Sequence, residues 1–227
     1  EVPGCCVTPM EAPRTDTYLV RNAGYDSDRR ARQAEANTLL ATLAKQVGDL
    51  GYTQAAEQVR AMKSDWERLS QQVDARELKP AESFAAHTAL VERNLKLLDA
   101  VADASGLSLD PVAESYYVMT AMVDHLPRLA ESIARTRGEG TMMLSGKTLG
   151  AIDQAAITHR LEQSRYLQDR SVSQIAKAQE LNVDIKKSVT QLAAAASDTD
   201  RFFRLVDKEI VSASAPALAA TEFFKAG

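Results

Sequence analysis

From Ile152 to Val211 the chain contains neither glycine nor proline. A stretch that long without a chain breaker cannot be divided into short strands and tight turns, so it reads as one very long helix, or two joined near 169–171. Composition points the same way. There are 37 alanines against 5% aromatic residues, so the 45% apolar fraction rests mainly on residues that favour helices over strands. The spacing predicts an all-α protein.

The rest of the chain repeats this pattern between breakers. Leu39, Leu40, Leu43, Val47 and Leu50 recur at helical spacing behind Asp26 and Ser27, which read as N-caps, while Gly24 reads as the end of a preceding helical segment from Asp16. Ala55, Val59, Met62, Trp66, Leu69 and Val73 form a second stripe, with Glu57, Arg60, Lys63 and Glu67 off it. Pro80 opens a third helix carrying Phe84, His87, Val91, Leu95, Leu98 and Val101 on one face. Asp110 followed by Pro111 is a strong start signal for a long helix with the stripe Val112, Tyr116, Met119, Val123, Leu126, Ala130 and Ile133, kinked by Pro127. Short links between long amphipathic helices give an up-and-down helical bundle with long antiparallel helices. We expect an irregular segment over 1–13 and a bundle over 14–227, built as one body or as two stacked four-helix modules.

The bulk numbers exclude several function classes. A net charge of −4 provides no overall positive field for nucleic acid. No uninterrupted apolar run approaches the ~20 residues that cross a bilayer. Cys5 and Cys6 are adjacent and lack the second ligand pair that a zinc site needs, and the histidines, His87, His125 and His159, fall on different predicted helices. Neither the Glu-x-x-His pairs of a di-iron bundle nor a Gly-x-Ser-x-Gly elbow occurs. No enzyme, metal or cofactor is read from these residues. The chain opens on Glu1 without a methionine, which reads as processed or excised.

The informative residues are charges where a stripe should be apolar. Arg137 lies four residues after Ile133, so it extends that face, and a buried guanidinium requires a carboxylate or a bound anion unless it reaches water at a helix end. Arg128, Glu131 and Arg135 read as a solvated ion-pair row. His87 lies on its helix stripe and reads first as a satisfied core residue, with ligand contact the alternative. Tyr116 should be core, Tyr117 points to an adjacent face, and Arg21 of the first segment could face the same cavity.

Glu82-Ser-Phe-Ala-Ala-His-Thr-Ala-Leu-Val91, Ser105-Gly-Leu-Ser-Leu-Asp-Pro111, Ser115-Tyr-Tyr-Val-Met119, Leu126-Pro-Arg-Leu-Ala-Glu131 and Arg135-Thr-Arg-Gly138 together resemble the periplasmic sensor region of proteobacterial methyl-accepting chemotaxis proteins. Regions that precede diguanylate cyclase modules in membrane sensors are similar, and the nitrate- and nitrite-sensing helical domain is more distantly so. The resemblance covers 82–144. It implies a periplasmic ligand-binding domain of an inner-membrane receptor, a homodimer with both ends near the membrane, whose long last helix moves on binding a small anion. Arg137 and Arg135 match the central arginines of the nitrate-sensing pattern, and Arg21 matches the arginine of its first helix. The Arg-Glu-Arg run of that family is absent, so nitrate itself is not singled out. The alternative implied is a helical interaction or dimerisation module that binds a protein partner and no metabolite.

Overall fold

The computed structural model describes residues 23–146 and 149–227. Among them every regular element is helical. The expected helical segment before Gly24 lies mostly outside the described residues, as do Arg21, Cys5 and Cys6. The chain divides into two compact units, Glu1–Gly106 and Leu107–Gly227.

The first unit's described helices are α1 (Ala23–Asp49), α2 (Thr53–Asp74) and α3 (Pro80–Ala104), with α2 packed against both of the others. All six residues of the α2 stripe are buried, Trp66 to 1% exposure, against Ala36, Leu40 and Val47 of α1 and Leu90, Val91 and Leu97 of α3. The Trp66 indole N–H donates to Asn37 Oδ1 at 2.7 Å, so the largest core side chain also fixes the α1–α2 register. Arg93 of α3 reaches Asp65 of α2, and that ion pair holds the Asp65 carboxyl below its ordinary range. Pro80 occupies the first turn of α3, and the Glu82 carboxylate accepts the Lys79 N–H at 2.9 Å. Three expectations shift. Leu50, placed last in the α1 stripe, lies just past the helix end and is 66% exposed. Gly24, Asp26 and Ser27 lie within α1 rather than at its end or cap. The buried face of α3 centres on Leu90, Val91, Asn94 and Leu97, leaving Phe84, Leu95 and Leu98 at its margin.

The second unit begins with α4 (Ala113–Met119), which runs through a π-helical turn (Thr120–His125) directly into α5 (Leu126–Gly146). Asp110 does not cap this helix. Its carboxylate accepts the Val112 N–H at 2.9 Å in a turn before it. The π turn is the form the Pro127 distortion takes. Proline offers no N–H to the Val123 carbonyl four residues back and crowds it, and the widened turn moves that carbonyl aside. Arg128 then donates to Val123 O at 3.4 Å and Asp124 O at 3.0 Å. Gly138 and Gly140 do not end the helix.

The long run after Ile152 is neither one helix nor two joined near 169–171. It is a hairpin. Helix α6 (Ala151–Leu181) stops where Asn182 turns extended and its side chain accepts the Asp184 and Ile185 N–H groups, capping the short α7 (Val183–Ser188). The chain then returns as α8 (Leu192–Val206), a π turn (Asp207–Val211) and α9 (Ala220–Ala226). Gln168 bonds Ala196 O and Asp200, Arg165 pairs with Asp207 at 2.8 Å, and Gln154 donates to Ile210 O and Ala213 O, which sets α6 and the returning strand of helix antiparallel. Phe202, Phe203, Val206, Ile210 and Phe223 form an apolar core with Leu129, Leu144, Ile157 and Leu161. No helix among the described residues is long and apolar enough to cross a membrane.

Candidate functional site

Helices α5 and α6 share an apolar core through Leu129, Leu144, Ile157 and Leu161, and beside it runs a polar seam. Ser132 and Ser164 bring their hydroxyls to 2.7 Å, Thr136 donates to Ser132 O, and Glu139 pairs with Arg160. The serine pair and the Glu139–Arg160 pair fix an antiparallel register that continues to Tyr117, whose ring lies 5.4 Å from Lys177 Nζ. The same register sets the π turn, with buried Ala121 and His125, against the part of α6 that carries buried Ser171 and Gln174. Three interior polar atoms here find no hydrogen-bond partner: His125 Nδ1, Arg170 Nε and Gln174 Oε1. Gln174 is 4% exposed and His125 7%. Such atoms each call for a water, a ligand or another packing that satisfies them.

Burial lowers the His125 pKa from its ordinary value of 6.5; Asp124 opposes this, while Arg170 and Arg128 reinforce it. The imidazole is therefore neutral at neutral pH. With Nε2 3.4 Å from Asp124 Oδ2, its carboxylate-facing nitrogen is suited to carry the hydrogen, leaving Nδ1 as an acceptor toward the seam.

The residues singled out from sequence do not converge. Arg137 is half-buried, and its guanidinium carbon lies 4.8 Å from the centroid of the Phe224 ring of α9, a cation–π arrangement. Arg135 is half-buried on the same helix. Tyr116 is not core: it is 45% exposed, edge-on to the half-buried Tyr117. The reason is that α6 covers the face bearing Ala121, His125 and Ser132, and the apolar stripe Val112–Tyr116–Met119 lies elsewhere on the helix. Twenty-one residues of continuous helix also separate Tyr116 from Arg137 by about 30 Å, too far for one small ligand. His87 belongs to the first unit, buried edge-on to Trp66, with Nδ1 2.8 Å from Ser83 O. The row Arg128, Glu131 and Arg135 is not solvated, since Glu131 is buried and both arginines are half-buried.

The seam itself was legible only in retrospect, because Ala121, His125, Ser132, Thr136 and Glu139 recur at helical spacing as small or polar residues while a more apolar stripe competes on the same helix. Among the described residues no group of three or more His, Cys, Asp or Glu could hold a metal ion. Compared with family models, curated proteins and solved structures, the chain finds no match.

Proposed function

We propose that the chain is the periplasmic ligand-binding sensor domain of a membrane-anchored receptor of the chemotaxis type, which recognises a small anion and passes a helix displacement onward. One observation carries the sensing reading: beside its apolar part, the α5–α6 contact includes a buried serine pair and an ion pair, with buried polar atoms left unsatisfied beside a π turn. A seam of that kind has alternative pairings close in energy, so a ligand that favours one of them shifts the helices against each other. Support for the receptor class is the sequence resemblance over 82–144, which spans α3, α4 and most of α5. The displacement runs through the α5–α6 seam, since the last third of the chain folds back as a hairpin rather than continuing as a single rod.

The test has two parts. A thermal-shift screen of small carboxylates and inorganic anions should find a compound that raises the melting temperature in proportion to its occupancy. Fused to the membrane and signalling portions of a chemoreceptor, the chain should make output respond to that compound. A screen without a hit and a chimera of fixed output would together overturn the reading.

A second reading is favoured by one surface. Leu109 at 87%, Val112 at 46%, Tyr116 at 45% and Met122 at 49% exposure give α4 and its flanks an apolar stripe facing water. As a homodimerisation or partner-docking face it would make the chain an interaction module, including the sensor region of a diguanylate cyclase. Light scattering tests whether this stripe is the dimer face, and the anion screen separates the two readings. A dimer abolished by Tyr116→Lys, with no small molecule bound, favours this second reading.

A further inference from the structure

The register set by Ser132–Ser164 and Tyr117–Lys177 places His125 of the π turn opposite the stretch of α6 that holds Arg170, Ser171 and Gln174. Arg170 acts electrostatically on the imidazole, so the two side chains stand near each other. Gln174 follows Arg170 by one helical turn on the same side of α6. Ser171 spends its hydroxyl hydrogen on Leu167 O at 2.8 Å and has none to offer the seam. His125 Nδ1, Gln174 Oε1 and Arg170 Nε are closed to solvent and have no hydrogen-bond partner.

Their chemistry is complementary to a particular kind of molecule. Arg170 forms no ion pair among the described residues, and a half-buried guanidinium calls for an anion. His125 Nδ1 and Gln174 Oε1 are both acceptors and call for hydrogens. A plain inorganic anion such as nitrate meets the guanidinium and has no hydrogen for either acceptor. An ammonium group brings hydrogens, but it adds positive charge beside Arg170 while Asp124 is already engaged by Arg128 at 2.9 Å. Hydroxyl groups supply hydrogens without charge.

We infer that the seam binds a small carboxylate bearing two hydroxyl groups, an acid of the glycerate class. Its carboxylate pairs with Arg170, and its hydroxyls donate one to His125 Nδ1 and one to Gln174 Oε1. The site rests on the sensing reading of this seam and names the class of ligand it takes. Because the three atoms are shut from solvent, entry requires the π turn and α6 to part, which is the displacement that reading needs.

The experiment is calorimetric titration of the full chain with propionate, lactate and glycerate, three-carbon acids that carry no, one and two hydroxyls, with alanine as the ammonium counterpart. Affinity should rise along the series, by about tenfold or more from propionate to glycerate. Arg170→Gln should weaken glycerate by about tenfold or more. Gln174→Met should weaken glycerate similarly and leave propionate unchanged, and it should melt at the same or a higher temperature because it removes an unsatisfied buried amide. A lower melting temperature would show that amide already satisfied by an ordered water and would overturn the proposal. So would no saturable binding at about 10 mM, equal affinity along the series, or tighter binding of alanine than of glycerate. Glycerate binding that depends on Arg170, in a chimera of fixed output, rejects the receptor reading and keeps this site. An anion that drives output and still binds Arg170→Gln and Gln174→Met keeps the receptor reading and overturns this site.

Discussion

The hydroxyls of Ser132 and Ser164 lie 2.7 Å apart across the α5–α6 seam, and they are not equivalent. Ser164 also donates to Arg160 O at 2.8 Å, so Ser132 donates to Ser164. Ser164→Ala leaves a buried Ser132 hydroxyl without that acceptor and should cost about 1–3 kcal/mol. Ser132→Ala leaves Ser164 still bonded to its own helix and should cost less. The double alanine variant should be more stable than the sum of the two single effects, a coupling measured by a double-mutant cycle in urea.

Glycine-to-alanine changes in two helices should have opposite signs. At Gly48 in α1 an added Cβ meets nothing within 4 Å, so Gly48→Ala should stabilise by about 0.5–1 kcal/mol through helix propensity. At Gly140 in α5 the Cβ would stand 2.6 Å from both Ile210 Cδ1 and Phe223 Cε1, in the apolar core. Gly140→Ala should destabilise by about 1–3 kcal/mol, read from equilibrium unfolding followed by circular dichroism.

Pro127 and Arg128 should be coupled. Arg128→Ala removes the donor to the Val123 and Asp124 carbonyls and should cost about 1 kcal/mol. In a Pro127→Ala background the restored N–H can serve the Val123 carbonyl, and the same Arg128→Ala change should cost less.

Acid should weaken the second unit through His125. Its folded pKa lies below 6.5, so as pH falls through 6.5 the unfolded chain takes up the proton first. The contribution is fully present above that pH and declines below it, until the folded imidazole also protonates. Melting temperature should fall between pH 7.5 and 5.5, and the slope should be shallower in His125→Gln. An unchanged slope in that variant would remove His125 as the source.

How far the sequence could be read is clearest at α2 and α6. The α2 stripe is the core of its unit because its apolar residues lie on one face and no other face competes. In α6 and beyond, the absence of glycine and proline masked a hairpin, because Asn182 can end one helix and cap the next with its own side chain, a role that composition does not register. Arg76, which follows the α2 C-cap with a left-handed φ of 58°, was equally hidden. The signal was a helix end before Pro80 that lacked the glycine such an ending favours, and the sequence gives no sign of which residues it would meet.

The sequence by itself determined the helical class, the buried stripe of α2 and the distortion at Pro127, since these follow from backbone propensity and from spacing along one helix. Which face of the 113–146 helix meets α6, the stacking of Arg137 on Phe224, and the pairing of buried Arg29 with Asp74 were decided only by the tertiary structure. The physical reason is that a helix can offer two faces of comparable merit, and the choice between them rests on partners far away in the chain. A face with hydroxyl and amide groups becomes a favourable interface only when the opposing helix brings matching donors and acceptors into register.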